Sequence, residues 1–157
     1  MRQPRRVLVA EDDAEMRRLL VTQLRLEGID VQEASDGRAL WRQMQRACVE
    51  GEGERPDVIV TDVRMPGMSG LDALRRIRTV APDVPVVVVT GFGSNHTHAE
   101  ARALGAAVLD KPFEVDDLLE LIERLVDGPR AVTPPVGDAS KRRAATTPPS
   151  LPWMEDQ

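Results

Sequence analysis

Oxygen-bearing and basic side chains follow the apolar runs of this sequence at the points where those runs end. They are Glu11 and Asp12 after VLVA, Asp62 after VIVT, Thr90 at the end of VVVVT and Lys111 after AVLD. Two carboxylates about 4 Å apart repel each other by about 1 kcal/mol in water and by about 4 kcal/mol at an effective dielectric near 20. Mg²⁺ removes this repulsion, because it prefers oxygen ligands and also binds phosphate oxygens. Together with a hydroxyl and an ammonium group, such carboxylates suit phosphoryl transfer.

The elements that would position these side chains alternate along the first 126 residues. Short apolar runs typical of buried strands alternate with stretches whose apolar residues recur at helical spacing. The pattern predicts strands at 7–10, 29–34, 58–61, 84–90 and 106–109, and helices at 14–27, 36–50, from 69 onward, at 95–104 and at 115–125. Such alternation predicts a doubly wound α/β fold with a parallel sheet covered on both faces. Because parallel strands end at a common edge, the polar residues should meet there.

Local signals support the predicted helix ends. Asp13 directly precedes the first helix and fits an N-cap position. Ser69 and Asp72 fit a capping box at the start of the third helix. Gly28 and Gly105 follow helical stretches, where a glycine typically ends a helix.

Composition limits the classes of function. The formal net charge is -5, and the compact basic cluster 141–143 lies outside the patterned region, so we expect no direct DNA binding. The single cysteine, Cys48, excludes an internal disulfide and fits a small buried hydrophobic position. No stretch approaches 18 apolar residues and no apolar signal core opens the chain, which predicts a cytoplasmic protein without a membrane segment.

Residues 127–157 differ from the preceding chain. They hold half of the 12 prolines and show no apolar periodicity. A segment of this kind buries too little apolar surface to offset its ordering entropy, so we predict a Pro-rich, disordered C-terminal tail. Its end, residues 150–157 around Trp153, is either a docking peptide or a tail without specific contacts.

Four runs together carry a family resemblance: VLVAEDD, VIVTDVRMPGMSG, VVVVTG and LDKPF. They resemble the receiver domain of bacterial two-component response regulators, in order, over residues 6 to about 126. The resemblance implies a receiver domain at 1–126 with a flavodoxin-like (βα)5 fold. Its five-stranded sheet is expected in the order 2-1-3-4-5.

The resemblance also implies roles for individual residues. Asp62 corresponds to the phosphoacceptor, which receives a phosphoryl group from the phosphohistidine of a sensor kinase or of a phosphotransfer protein. Glu11 and Asp12 correspond to the acidic pair that binds Mg²⁺, with Asp12 the more direct ligand. The backbone carbonyl of Arg64 is expected to add a further metal ligand.

Two further positions complete the implied site. Thr90 and Lys111 are expected to contact the phosphoryl oxygens, and the Lys111–Pro112 peptide bond is expected to be cis. In relatives, movement of the threonine lets an aromatic residue turn inward and remodels the face formed by helix four, strand five and helix five. That aromatic position corresponds to Val108, so the output must be expressed differently here. The same face is a candidate homodimer surface, and the downstream protein partner is not specified by the sequence.

Two alternatives stand beside this hypothesis. One is a receiver-like scaffold that binds partners without phosphorylation, which Val108 keeps open. The other is a phosphatase of the haloacid dehalogenase type, which needs an acidic residue two places after the nucleophile, where this chain has Arg64. Apart from self-phosphorylation and self-dephosphorylation at Asp62, we expect no enzymatic activity.

Other residues suggestive of ligand binding have simpler interpretations. His96 and His98, two positions apart on a helix, do not converge on one ligand and are expected to be ordinary surface histidines. Met65 and Met68 flank a turn and are expected to pack against apolar neighbours.

Overall fold

The structure is a computed structural model that describes residues 5–91 and 95–131. The strands are β1 (Arg6–Ala10), β2 (Asp30–Ala34), β3 (Val58–Asp62), β4 (Val86–Thr90) and β5 (Ala107–Asp110). The helices are α1 (Ala14–Leu26), α2 (Gly37–Cys48), α3 (Gly70–Val80), α4 (Asn95–Ala103) and α5 (Val115–Ala131). Strands and helices alternate as the sequence predicts.

All five strands are parallel and lie in the order β2-β1-β3-β4-β5, which confirms the predicted fold. Strand order reverses around β1, which pairs with both β2 and β3. Ala10 of β1 lies opposite Thr61 of β3, so the residues that follow these two positions emerge side by side. The fold thereby brings together segments about 50 residues apart in the chain.

The central strands explain why their sequences are apolar without interruption. Every residue of β3 and of β4 is buried, because helices cover both faces of the sheet. Leu8, Ile59 and Val88 point to one face and pack in a core with Leu74 and Ile77 of α3. Complete burial of one such side chain contributes about 1.5–3 kcal/mol relative to its exposure.

The helix ends follow the predicted caps. The side chain of Asp13 accepts hydrogen bonds from the backbone N–H groups of Glu15 and Met16. The hydroxyl of Ser69 accepts one from the N–H of Asp72 at 3.1 Å. These contacts satisfy N–H groups that have no partner within the first turn of a helix.

Arg78 joins three segments of the fold, a role that the sequence analysis missed. Its guanidinium donates hydrogen bonds to the carbonyls of Leu104 at 2.6 Å, Val84 at 2.7 Å and Ala81 at 3.2 Å. Burial lowers the pKa of Arg78 from its ordinary value, and the charge of Asp83 opposes that shift. The side chain therefore fixes the end of α4 and the loop before β4 to α3.

The C-terminal helix departs from the prediction. α5 continues to Ala131, five residues beyond the predicted boundary at 126, so the start of the predicted tail is helical. The main structural unit ends at Ile122 and a second begins at Glu123. The rest of the predicted tail, 132–157 with Trp153, lies outside the described residues. None of the helices described within 5–91 and 95–131 combines the length and the apolar character that a membrane-spanning segment requires.

Candidate metal and phosphoacceptor site

Three carboxylates meet at the edge of the sheet where β1 and β3 end. Glu11, Asp12 and Asp62 each offer an oxygen atom, and these atoms all lie within 4.8 Å of one another. Glu11 and Asp62 are buried, whereas Asp12 is exposed, so the group opens toward solvent on one side. Carboxylate oxygens with an open side are a donor set that fits Mg²⁺, which retains several of its waters.

Lys111 supplies the positive charge of the site. Its Nζ donates a hydrogen bond to Asp62 Oδ2 at 3.0 Å and lies 3.5 Å from Glu11 Oε1. Burial by itself would lower the pKa of Lys111. The hydrogen bond from Lys111 to Asp62 and the charges of Asp62 and Glu11 outweigh burial and raise this pKa above its ordinary value. The ammonium group therefore stays charged beside the carboxylate of Asp62.

Burial and the crowding of negative charge both disfavour the ionised form of Glu11. Burial raises the pKa of Glu11, and the nearby charge of Asp62 raises it further. A hydrogen bond from the backbone N–H of Asp13 to Glu11 Oε2, at 3.1 Å, and the charge of Lys111 oppose this change. A divalent cation among the three carboxylates would favour the ionised form of Glu11.

Thr90 lies at the end of β4, next to β5, the strand that directly precedes Lys111. The residue is buried, and its carbonyl accepts a hydrogen bond from the N–H of Lys111 at 2.9 Å. Thr90 and Asp110 lie opposite each other in the pairing of β4 with β5. The Lys111–Pro112 peptide bond is cis, as the resemblance implies. Thr90 at the end of β4 and Lys111 directly after β5 thus lie at the same sheet edge as Asp62.

The loop after Asp62 is shaped by a turn. Arg64 is exposed, Met65 is buried in the core, and Gly67 has a φ of 78° that favours glycine. Met68 is half-buried and packs against the same core, which confirms the expectation that both methionines pack. The turn carries the chain from the site to the start of α3.

Gly70 holds the start of α3 against the site, a role that the sequence analysis did not assign. Its N–H donates a hydrogen bond to the carbonyl of Val63 at 2.9 Å. A Cβ atom at Gly70 would lie 1.9 Å from the carbonyl oxygen of Asp62 and 3.0 Å from Thr61 Oγ1. No larger residue fits here without movement of the backbone. The signal available in the sequence was a glycine directly after the predicted N-cap serine.

His98 differs from the expected surface histidine. Its Nε2 lies 2.9 Å from Asp110 Oδ1, and its side chain is only 21% exposed. His96 is 87% exposed, in agreement with the expectation. The contact connects α4 to the residue directly before Lys111, on the β5 strand that also carries the half-buried Val108.

Comparison with known proteins identifies the family. A family model described as the response regulator receiver domain matches residues 7–123. The chain belongs to the response regulator receiver family. The receiver domain protein of Clostridium thermocellum, a solved structure, has a TM-score of 0.72 at 28% identity, covering 80% of this chain and 97% of that one.

Two curated relatives show different extents of similarity around the receiver. The transcriptional regulatory protein PdtaR of Mycobacterium tuberculosis is 40% identical over 139 residues, which are 87% of this chain and 64% of PdtaR. The response regulator receiver protein CpdR of Brucella abortus is 34% identical over 124 residues, which are 78% of this chain and 97% of CpdR. The chain thus spans less than two thirds of PdtaR, whereas the match covers almost all of CpdR.

Proposed function

We propose that Asp62 accepts a phosphoryl group from a phosphohistidine of a sensor histidine kinase or of a phosphotransfer protein, with Mg²⁺ in the site. The observation that carries the proposal is the placement of Asp62. Its carboxylate lies among the acidic group with Glu11 and Asp12, and Lys111 Nζ is 3.0 Å from its Oδ2. An oxygen nucleophile therefore stands between a candidate cation site and a fixed ammonium group.

Each residue of the site has a separate proposed role in phosphoryl transfer. An oxygen of Asp62 attacks phosphorus while the bond from phosphorus to the imidazole nitrogen of the donor histidine breaks, and its electron pair leaves with the imidazole. Lys111 and Thr90 contact the phosphoryl oxygens on which negative charge accumulates. Glu11, Asp12, Asp62 and the backbone carbonyl of Arg64 would hold Mg²⁺, which neutralises charge on the carboxylates and phosphoryl oxygens when bound. The same groups support self-phosphorylation from small donors and later self-dephosphorylation.

The site does not favour phosphatase activity toward other substrates. A phosphatase of the haloacid dehalogenase type requires a proton donor two residues after its nucleophile. Arg64 occupies that position, and its side chain has no carboxylic acid that could donate a proton to a leaving group. We propose phosphoryl acceptance followed by self-dephosphorylation rather than turnover of phosphate esters.

The proposed output is a change in protein contacts. Phosphorylation adds about 1.5 to 2 negative charges and new acceptor oxygens beside Lys111. Lys111 adjoins Asp110, whose side chain contacts His98 of α4. A shift of Lys111 can therefore be transmitted to α4 through this contact. The face formed by α4, β5 and α5 is the proposed surface for a downstream protein or a second copy of the chain. Direct DNA binding is not part of this proposal.

Intact-mass measurement tests the proposal. The protein is incubated with Mg²⁺ and acetyl phosphate, and the expected result is a labile adduct of one phosphoryl group. Asp62→Asn should abolish the adduct. Asp30→Asn, which changes an exposed aspartate at the start of β2, should retain it. An adduct of equal yield on Asp62→Asn would refute the assignment. No adduct with acetyl phosphate or a phosphorylated kinase would favour the phosphorylation-independent scaffold, and steady turnover of phosphate esters would favour the phosphatase.

A further inference from the structure

An apolar cleft of about 470 Å³ lies beside Asp62, between α1 and the start of α5. Its floor consists of Val9, Val60 and Val89, one residue from each of three neighbouring strands. Leu19 of α1 and Phe113, which precedes α5, form parts of its walls. The cleft therefore follows the valine face of the sheet, opposite the face that packs against α3.

Charge is confined to one end of this cleft. Among its lining residues, only Glu11, Asp62 and Lys111 are ionisable, and all three belong to the site described above. The rest of the lining is apolar except for Gln23 and a glycine. A molecule with its phosphoryl group at Asp62 would thus lie at the charged end of a cleft whose remaining lining is uncharged.

We propose that this cleft receives the apolar part of the leaving group of a small phosphodonor, so that Asp62 prefers acyl phosphates with apolar acyl groups. The inference rests on the proposed phosphorylation of Asp62. In the step, a bond forms between an Asp62 oxygen and phosphorus while the bond from phosphorus to the acyl oxygen breaks. The electron pair of the broken bond leaves with the carboxylate product.

The surface of α1 is suited to this role. The side chains of Leu19 and Met16 are among the exposed large hydrophobic residues, at 57% and 46%. Both line the cleft, so an apolar group there would remove part of their surface from water. Burial of apolar surface is favourable roughly in proportion to its area. An acetyl group is too small to reach far along this wall, whereas a benzoyl group adds a ring.

The first test compares acetyl phosphate with benzoyl phosphate at low donor concentration and fixed Mg²⁺. The measured quantity is the ratio of the two phosphorylation rates, in the wild type and in Leu19→Ser. Dividing one ratio by the other removes the intrinsic reactivity of the donors. The wild type should favour benzoyl phosphate about tenfold more than the variant does, which corresponds to about 1.4 kcal/mol.

Leu26→Ser is the matched control. Leu26 lies on the same helix and is 79% exposed, but it does not line the cleft. This variant should keep the wild-type ratio. Equal ratios in wild type and Leu19→Ser would overturn the inference, and they are the result expected if the cleft serves only a side chain of a protein donor. Equal loss in Leu19→Ser and Leu26→Ser would overturn it as well.

A binding measurement separates this inference from the proposed function. Phenylphosphonate and methylphosphonate, which transfer no phosphoryl group, are titrated with Mg²⁺ while the methyl resonance of Met16 is followed by NMR. Tighter binding of phenylphosphonate, with a shift at Met16 that weakens in Leu19→Ser, supports the cleft. Equal binding of both compounds overturns it even if Asp62 is phosphorylated. Absence of any phosphorylation at Asp62 contradicts the proposed function instead.

Discussion

Replacement of Gly70 by alanine tests whether the packing of α3 against Asp62 limits both stability and site geometry. The new methyl group would lie 1.9 Å from the carbonyl oxygen of Asp62, about 1.5 Å inside the 3.4 Å at which ordinary contact begins. Alanine favours helix over glycine by up to about 1 kcal/mol, which acts in the opposite direction. Overpacking against backbone costs about 1–3 kcal/mol or more, since neither the strand nor the helix yields easily. We expect a net loss of about 2 kcal/mol in the free energy of unfolding.

Urea unfolding measures this loss as a lower midpoint, by roughly 1 M for a domain of this size. Mg²⁺ affinity, measured on the folded variant, should also fall, because the carbonyl that must move belongs to Asp62. Gly91→Ala is the control, since a Cβ there would lie 3.6 Å from the nearest side-chain atom of Lys111, in ordinary contact. A Gly70→Ala protein as stable as the wild type would refute the reasoning, because helix propensity would then outweigh the contact.

Further predictions concern other contacts and the metal site. Arg78→Met should lower the free energy of unfolding by about 3 kcal/mol in urea, because three partly buried carbonyls lose a charged donor. An unchanged midpoint would contradict the structural role. Mg²⁺ should raise the melting temperature of the wild type and not of Asp12→Asn. Its affinity should fall as pH falls, starting above the usual glutamate range, because the raised pKa of Glu11 lets a proton compete with the cation. Without metal, the same raised pKa means that the stability contributed by protonated Glu11 is lost as pH rises through it, so Glu11→Gln should flatten the pH profile of the melting temperature. His98→Ala should speed amide hydrogen exchange in α4 and leave α1 unchanged, because the contact with Asp110 is removed.

The arrangement of the strand ends was predictable from the sequence. The apolar runs that precede Glu11, Asp62 and Lys111 predict that these side chains meet, because parallel strands in a buried sheet end at one edge. The caps at Asp13 and Ser69 were predictable as well, since they depend only on residues within one helical turn.

Contacts between elements were harder to predict from the sequence. The pairing of His98 with Asp110 depends on how α4 is rotated against β5, and two histidines two residues apart carry no information about that rotation. The carbonyls that bind Arg78 belong to backbone that any sequence could provide. The fading of apolar periodicity after Leu125 predicts the end of the fifth helix there, yet α5 continues through a polar stretch to Ala131.

The residues of the site are far apart in the sequence, and this separation affects when the site forms during folding. Lys111 Nζ lies 3.5 Å from Glu11 Oε1, although the two residues are 100 positions apart in the sequence. During synthesis the acidic group has all its carboxylates once β3 has emerged, but its ammonium partner arrives only after β4, α4 and β5. Because contacts between distant residues form slowly and late, we expect the complete site to appear in the last stage of folding. Phosphoryl acceptance would then require that the whole sheet has been assembled. Truncated or nascent chains that lack β5 and Lys111 would accept no phosphoryl group.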